Sequence, residues 1–74
     1  MDTKAQAILD LITEILSNHV GQENSISGKE LQHTFYDTAD HEDCVGEQYR
    51  AGLAFLCICG DVMTNPVGDY WLGQ

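Results

Sequence analysis

Between Ala7 and Leu16 the apolar residues return once per helical turn. Ala7, Ile8, Leu11, Ile12, Ile15 and Leu16 fall on one side, and Lys4, Asp10, Thr13, Glu14 and Ser17 on the other. This spacing predicts an amphipathic helix from Lys4 to about Asn18, capped by Asp2 or Thr3 and stopped by His19-Val20-Gly21. A stripe of that kind has to be covered by other elements of the same chain. With 74 residues available, residues 1–74 are expected to form a single domain. A core of this size leaves a net stability of only about 3–5 kcal/mol.

A second helix is announced by Ser27-Gly28-Lys29-Glu30, the pattern of a capping box, in which Ser27 and Glu30 each satisfy an orphan amide of the first turn. Ile26 before the cap and Leu31 inside the helix make the matching hydrophobic staple. This helix is expected to be short, running through Gln32, His33, Thr34 and Phe35. The stretch Asp37-Thr38-Ala39-Asp40-His41-Glu42-Asp43 has no periodicity and reads as an extended turn. A third helix follows from about Cys44 or Gly46 to Cys59, with Tyr49, Gly52, Leu53 and Leu56 at core spacing and Gly60 ending it. The tail reads as a hairpin: Val62-Met63-Thr64, a loop over residues 65–69 that contains Pro66, and Tyr70-Trp71-Leu72. The fold class is therefore α+β, with three helices followed by a C-terminal hairpin.

Two segments give this order a family likeness. Ser25-Ile26-Ser27-Gly28-Lys29-Glu30-Leu31, and the run from Tyr49 to Met63 together with Gly68-Asp69-Tyr70-Trp71-Leu72, resemble the winged helix-turn-helix domains of bacterial and phage regulators. The DNA-binding domain of biotin-operon repressors is one such domain. The likeness extends from Ile8 to Leu72 and implies that the third helix enters the major groove while the wing touches the backbone. It also implies a phage or mobile-element origin. On that layout the exposed positions of the third helix are Glu47, Gln48, Arg50, Ala51, Ala54 and Phe55.

Charge argues against the usual role of such domains. Twelve carboxylates face three basic residues, Lys4, Lys29 and Arg50, for a net charge of −9. Duplex-binding proteins neutralise several phosphates with Lys and Arg, and a field of this sign repels a polyanion. Asp37, Asp40, Glu42, Asp43 and Glu47 crowd the connection that relatives turn toward phosphate. This acidic run has two readings. It is either a solvated loop favouring the N-terminus of the third helix, or a row of carboxylates that imitates phosphates and binds a basic groove.

Other constellations are weaker. Cys44, Cys57 and Cys59 form an odd set without framework spacing, and no basic-then-apolar leader opens the chain, so free thiols in a cytoplasmic protein are expected. Cys57 and Cys59 sit two apart on a helix, so their side chains diverge by about 200°. With His33 and His41 they lack the spacing of a zinc knuckle. No metal, cofactor or catalytic residue is expected, and neither is an enzyme. Tyr70 and Leu72 should share the inner face of the last strand, which leaves Trp71 as a contact residue.

These readings converge on an acidic interaction protein without a membrane segment. Its expected partner is a basic site on a nucleic-acid-handling protein, as for an anti-CRISPR or anti-restriction DNA mimic. Asp37, Asp40, Glu42, Asp43, Glu47 and Trp71 form the expected contact. The alternative is a regulator that binds DNA as a dimer through Gln48 and Arg50. A dimer built on the first helix, Ala7 to Leu16, is a third arrangement.

Overall fold

The computed structural model describes residues 3–38 and 46–73. Its first helix, α1 (Thr3–Leu16), supplies the centre of the core. Ile12 and Leu16 are fully buried and Ile8 nearly so, with Leu11 and Ile15 packed at the margin. Leu9 joins the buried set while Ala7 stays exposed, so the buried stripe is rotated from the expected one. The helix ends at Leu16, earlier than the spacing suggested. Both the amide and the hydroxyl of Ser17 donate to the Glu14 carbonyl, a local bond that competes with helix continuation. Gly21, expected as the stop, instead uses its positive φ of 86° to turn the chain into a 3₁₀ turn (Gln22–Asn24).

The Ser27 half of the expected capping box and the staple form, and the same residues do something further. The Ser27 hydroxyl oxygen accepts the Glu30 amide at 3.2 Å, and Ile26 and Leu31 are both buried as a staple should be. Yet Ile26–Ser27 is also a short strand, β1, which comes immediately before helix α2 (Gly28–Thr38). Helix α2 continues past Phe35 through Tyr36, Asp37 and Thr38, so Asp37 belongs to a helix and not to the turn expected there. Aromatic packing explains the extra turn. Phe35 is fully buried, with ring centroids 4.7 Å from Tyr49 and 5.5 Å from Tyr36.

Helix α3 (Gly46–Cys59) packs on α1. Tyr49, Leu53 and Leu56 are buried, and Gly52 permits the close approach. A Cβ at position 52 would lie 3.1 Å from Ile8 Cγ2 and 3.4 Å from Leu9 Cδ2. The helix ends at Gly60 (φ 86°), whose amide donates to Cys57, while the Asp61 amide reaches back to Leu56, each at 3.1 Å. That pair of bonds is the Schellman arrangement a glycine stop predicts.

Strands β2 (Val62–Thr64) and β3 (Asp69–Leu72) form the expected hairpin, with Val62 opposite Leu72, Met63 opposite Trp71 and Thr64 opposite Tyr70. Asn65 organises the turn by accepting the amides of Gly68 and Asp69 on its side-chain oxygen, at 3.1 and 3.0 Å. β1 pairs with the other edge of β3, giving an antiparallel sheet in the order β1-β3-β2. The Gly68 carbonyl accepts the Gly28 amide at 2.9 Å, so the hairpin loop satisfies the first donor of α2. The class is thus α+β: three helices and a small three-stranded antiparallel sheet, one strand of which lies between the first two helices.

Two substitutions separate the cap from the core. Ser27→Ala should lower stability by about 1 kcal/mol, and Leu31→Ala by about 3 kcal/mol, both read from urea unfolding. For so small a core the second change should leave much of the chain unfolded at room temperature.

Candidate interaction surfaces

Helix α3 has two apolar faces. One carries Tyr49, Leu53 and Leu56 into the core. The other carries Ala51, Ala54, Phe55 and Ile58, spaced at three, four and seven residues, and all four are exposed. Phe55 is 44% exposed and Ile58 85%. Gln48 and Arg50 are exposed on the same helix, as expected, but they stand beside this apolar stripe and not in a polar or cationic face. From Gln48 to Gly60 there is no acidic residue, and Arg50 is the single charge. The stripe continues into a shallow cleft of about 250 Å³ between α1 and α3. Ala5, Ile8 and Leu9 line one wall, and Ala51, Gly52 and Phe55 the other, with Gln48 beside them. Ile58 was missing from the expected exposed set, although its seven-residue spacing from Ala51 was a readable signal.

Of the expected acidic positions, two fall on described helices. Asp37 is exposed in the last turn of α2, and Glu47 belongs to the first turn of α3. Asp40, Glu42 and Asp43, with His41 and Cys44, fall outside the described residues. Asp37 stands where the helix dipole disfavours an anion, and the last turn of α2 holds no basic residue to offset it. The local energetics of α2 therefore do not account for a carboxylate at this position.

On the hairpin, Tyr70 and Leu72 pack against the core, so they share the inner face as strand alternation demands. Trp71 is half-buried on the opposite face, directly across from Met63, which is 44% exposed. Val67 at the hairpin tip is 84% exposed.

The two described cysteines diverge as their spacing predicts. Cys57 packs partly against the core, where burial pushes its thiol pKa up, and Cys59 is exposed. Among the described residues no three His, Cys, Asp or Glu side chains gather into a metal-binding group, and no helix is long and apolar enough to cross a membrane. Comparison of the chain with protein-family models, with curated proteins and with solved structures finds no match.

Tyr49 is the one polar group that the core leaves unsatisfied among the described residues. It is 4% exposed, and its hydroxyl has no hydrogen-bond partner there. Burial raises its pKa well above the ordinary tyrosine value, and the neighbouring Tyr70 and Tyr36 add to the rise. The folded chain keeps this proton, whereas the unfolded chain loses it near pH 10. Its contribution to stability is complete below that pH and is lost as the pH climbs beyond it. Tyr49→Phe should raise stability by about 1 kcal/mol at neutral pH by removing the unpaired hydroxyl. The same variant should unfold at a higher pH than the parent in an alkaline titration followed by circular dichroism.

Proposed function

We propose that this chain is an acidic protein-binding module on a winged-helix scaffold, whose partner presents the basic site of a nucleic-acid-handling protein. The observation that carries this reading is the chemistry of α3. A DNA-reading helix presents Arg, Lys, Asn or Gln to base edges and phosphates. This helix presents Ala51, Ala54, Phe55 and Ile58 outward, in a chain of net charge −9. Removing apolar side chains from water favours a protein partner, and the surrounding negative field favours a cationic one.

The acidic positions supply the proposed contact. Asp37 is solvent-facing at the negative end of α2, and its sequence neighbours Asp40, Glu42, Asp43 and Glu47 extend the run toward α3. A carboxylate that opposes its own helix dipole is better accounted for by what it binds than by what it stabilises. The order of three helices followed by a hairpin supports the winged-helix resemblance as the scaffold for this contact. In this reading the module occupies the groove that phosphates normally enter, and acts by inhibition.

Two measurements test the proposal. Titration of labelled duplex DNA at low salt should give no binding at micromolar concentrations. Tight, salt-dependent binding lost in Arg50→Ala would overturn the proposal in favour of a regulator acting through Gln48 and Arg50. In cleavage assays with a panel of restriction and CRISPR nucleases, the chain should inhibit a susceptible enzyme. The quadruple change Asp37→Asn, Asp40→Asn, Glu42→Gln and Asp43→Asn should weaken that inhibition by about tenfold or more. The Asp37→Asn change alone should slightly stabilise the fold, by about 0.5 kcal/mol.

A further inference from the structure

We infer that the outer face of the hairpin is a docking site for an extended, arginine-bearing peptide segment. One guanidinium stacks on Trp71 and its neighbours pair with Asp61 and Asp69. This contact involves neither α3 nor the acidic run over residues 37–47, and it stands without the reading proposed above.

Strand alternation assembles the site. Tyr70 and Leu72 pack against the core, so Asp69 and Trp71 take the opposite face of β3. Met63, across from Trp71, shares that face. The Gly73 amide donates to the Asp61 carbonyl at 3.1 Å and carries the β2–β3 register one pair further, which sets Asp61 on the same face. Gly73 has no side chain to cover this end, and Met63 Cγ lies 3.6 Å from where a Cβ would stand. The Trp71–Met63 pair is therefore an apolar strip with a carboxylate at each end. Asp61 is exposed and Asp69 half-buried, with the Asn65 side-chain amide donating to Asp69 Oδ2 at 3.5 Å.

Charge and ring chemistry select the occupant. From Ala51 to Gln74 the chain carries no Lys, Arg or His, and Asp61 and Asp69 are its only acidic residues there. A second copy turned onto this face would bring four carboxylates together without a cation. A nucleic acid stacking a base on the indole would set its phosphates against both aspartates. A guanidinium is planar, stacks on an indole as a cation and pairs with carboxylates, so it suits the ring and the aspartates alike. Spacing sets the segment. Asp69 and the Asp61–Gly73 pair stand four strand positions apart, about 13 Å along the strand. In an extended peptide, residues i, i+2 and i+4 face one side over the same length, which gives Arg-x-Arg-x-Arg with the central arginine over Trp71.

Trp71 is the single tryptophan of the chain, so its fluorescence reports on the site directly. A blocked Gly-Arg-Gly-Arg-Gly-Arg-Gly peptide, titrated into the full chain at moderate salt, should give a saturable change in Trp71 emission. The matching lysine peptide should bind about threefold or more weakly. With labelled arginine peptide followed by anisotropy, Trp71→Ala and Asp61→Lys should each weaken binding by about tenfold. Asp61 is exposed, so its variant should keep the parent's circular dichroism spectrum. The quadruple change at Asp37, Asp40, Glu42 and Asp43 should stay within about threefold of the parent, although it removes four charges. Unchanged Trp71 emission at saturation would sink the inference. So would binding that the quadruple variant loses and Asp61→Lys retains, or a short oligothymidine that shifts the emission more strongly than the arginine peptide.

Discussion

The burial of Ile12 and Leu16 is the contact on which the rest of the molecule leans. Both side chains are fully removed from water, and α1 touches α2, α3 and β3. Each of those elements is too short to hold its conformation alone in water. The chain on either side of α1 must fold back on the same apolar stripe, and the means of doing so are visible one at a time. Gly52 lets α3 approach Ile8 and Leu9, Phe35 fills the space under α2, and Val62 with Leu72 brings the hairpin onto the remaining side. A domain of this size has no second core to fall back on.

Local chemistry was readable wherever a residue type has one strong conformational use. Ser27 with Glu30 marked the start of α2, Gly60 ended α3, and Pro66 placed the hairpin loop, which Asn65 organises. What escaped the sequence was set by long-range contacts. Ile26–Ser27 looks like a cap and staple, and only the approach of Asp69 and Tyr70 makes it a strand as well. The last turn of α2 depends on Tyr49, which reaches Phe35 and Tyr36 from another helix. The exchange of Ala7 for Leu9 in the core reflects how closely α3 approaches through Gly52, a distance no periodicity encodes.

The interaction surfaces divide in the same way. Trp71 and the inward Tyr70 and Leu72 followed from strand alternation, and the exposure of Gln48, Arg50, Ala51, Ala54 and Phe55 on α3 from the layout that the winged-helix resemblance implies. Position Ile58 was left out of that set, although it lies seven residues from Ala51 and so on the same helix face. The significance of Asp37 also needed the fold. In a turn it is one more solvated carboxylate, whereas in the last turn of α2 it opposes the helix dipole.

The acidic residues and the exposed apolar stripe of α3 sit on a domain with little stability to spare. In sequence, Asp37, Asp40, Glu42, Asp43 and Glu47 precede the rest of α3, and the helix itself carries only Arg50 beyond its first turn. In the isolated chain Ile58, 85% exposed, adds little to folding, and Phe55 leaves close to half of its surface in water. Their burial becomes favourable only on association, and any partner that binds the folded chain alone stabilises it by mass action. The acidic surface works in the opposite sense: its self-repulsion opposes compaction until cationic groups neutralise it. Both surfaces therefore couple binding to folding. A small core supplies the scaffold, and the energy that steadies it is completed by what the scaffold holds.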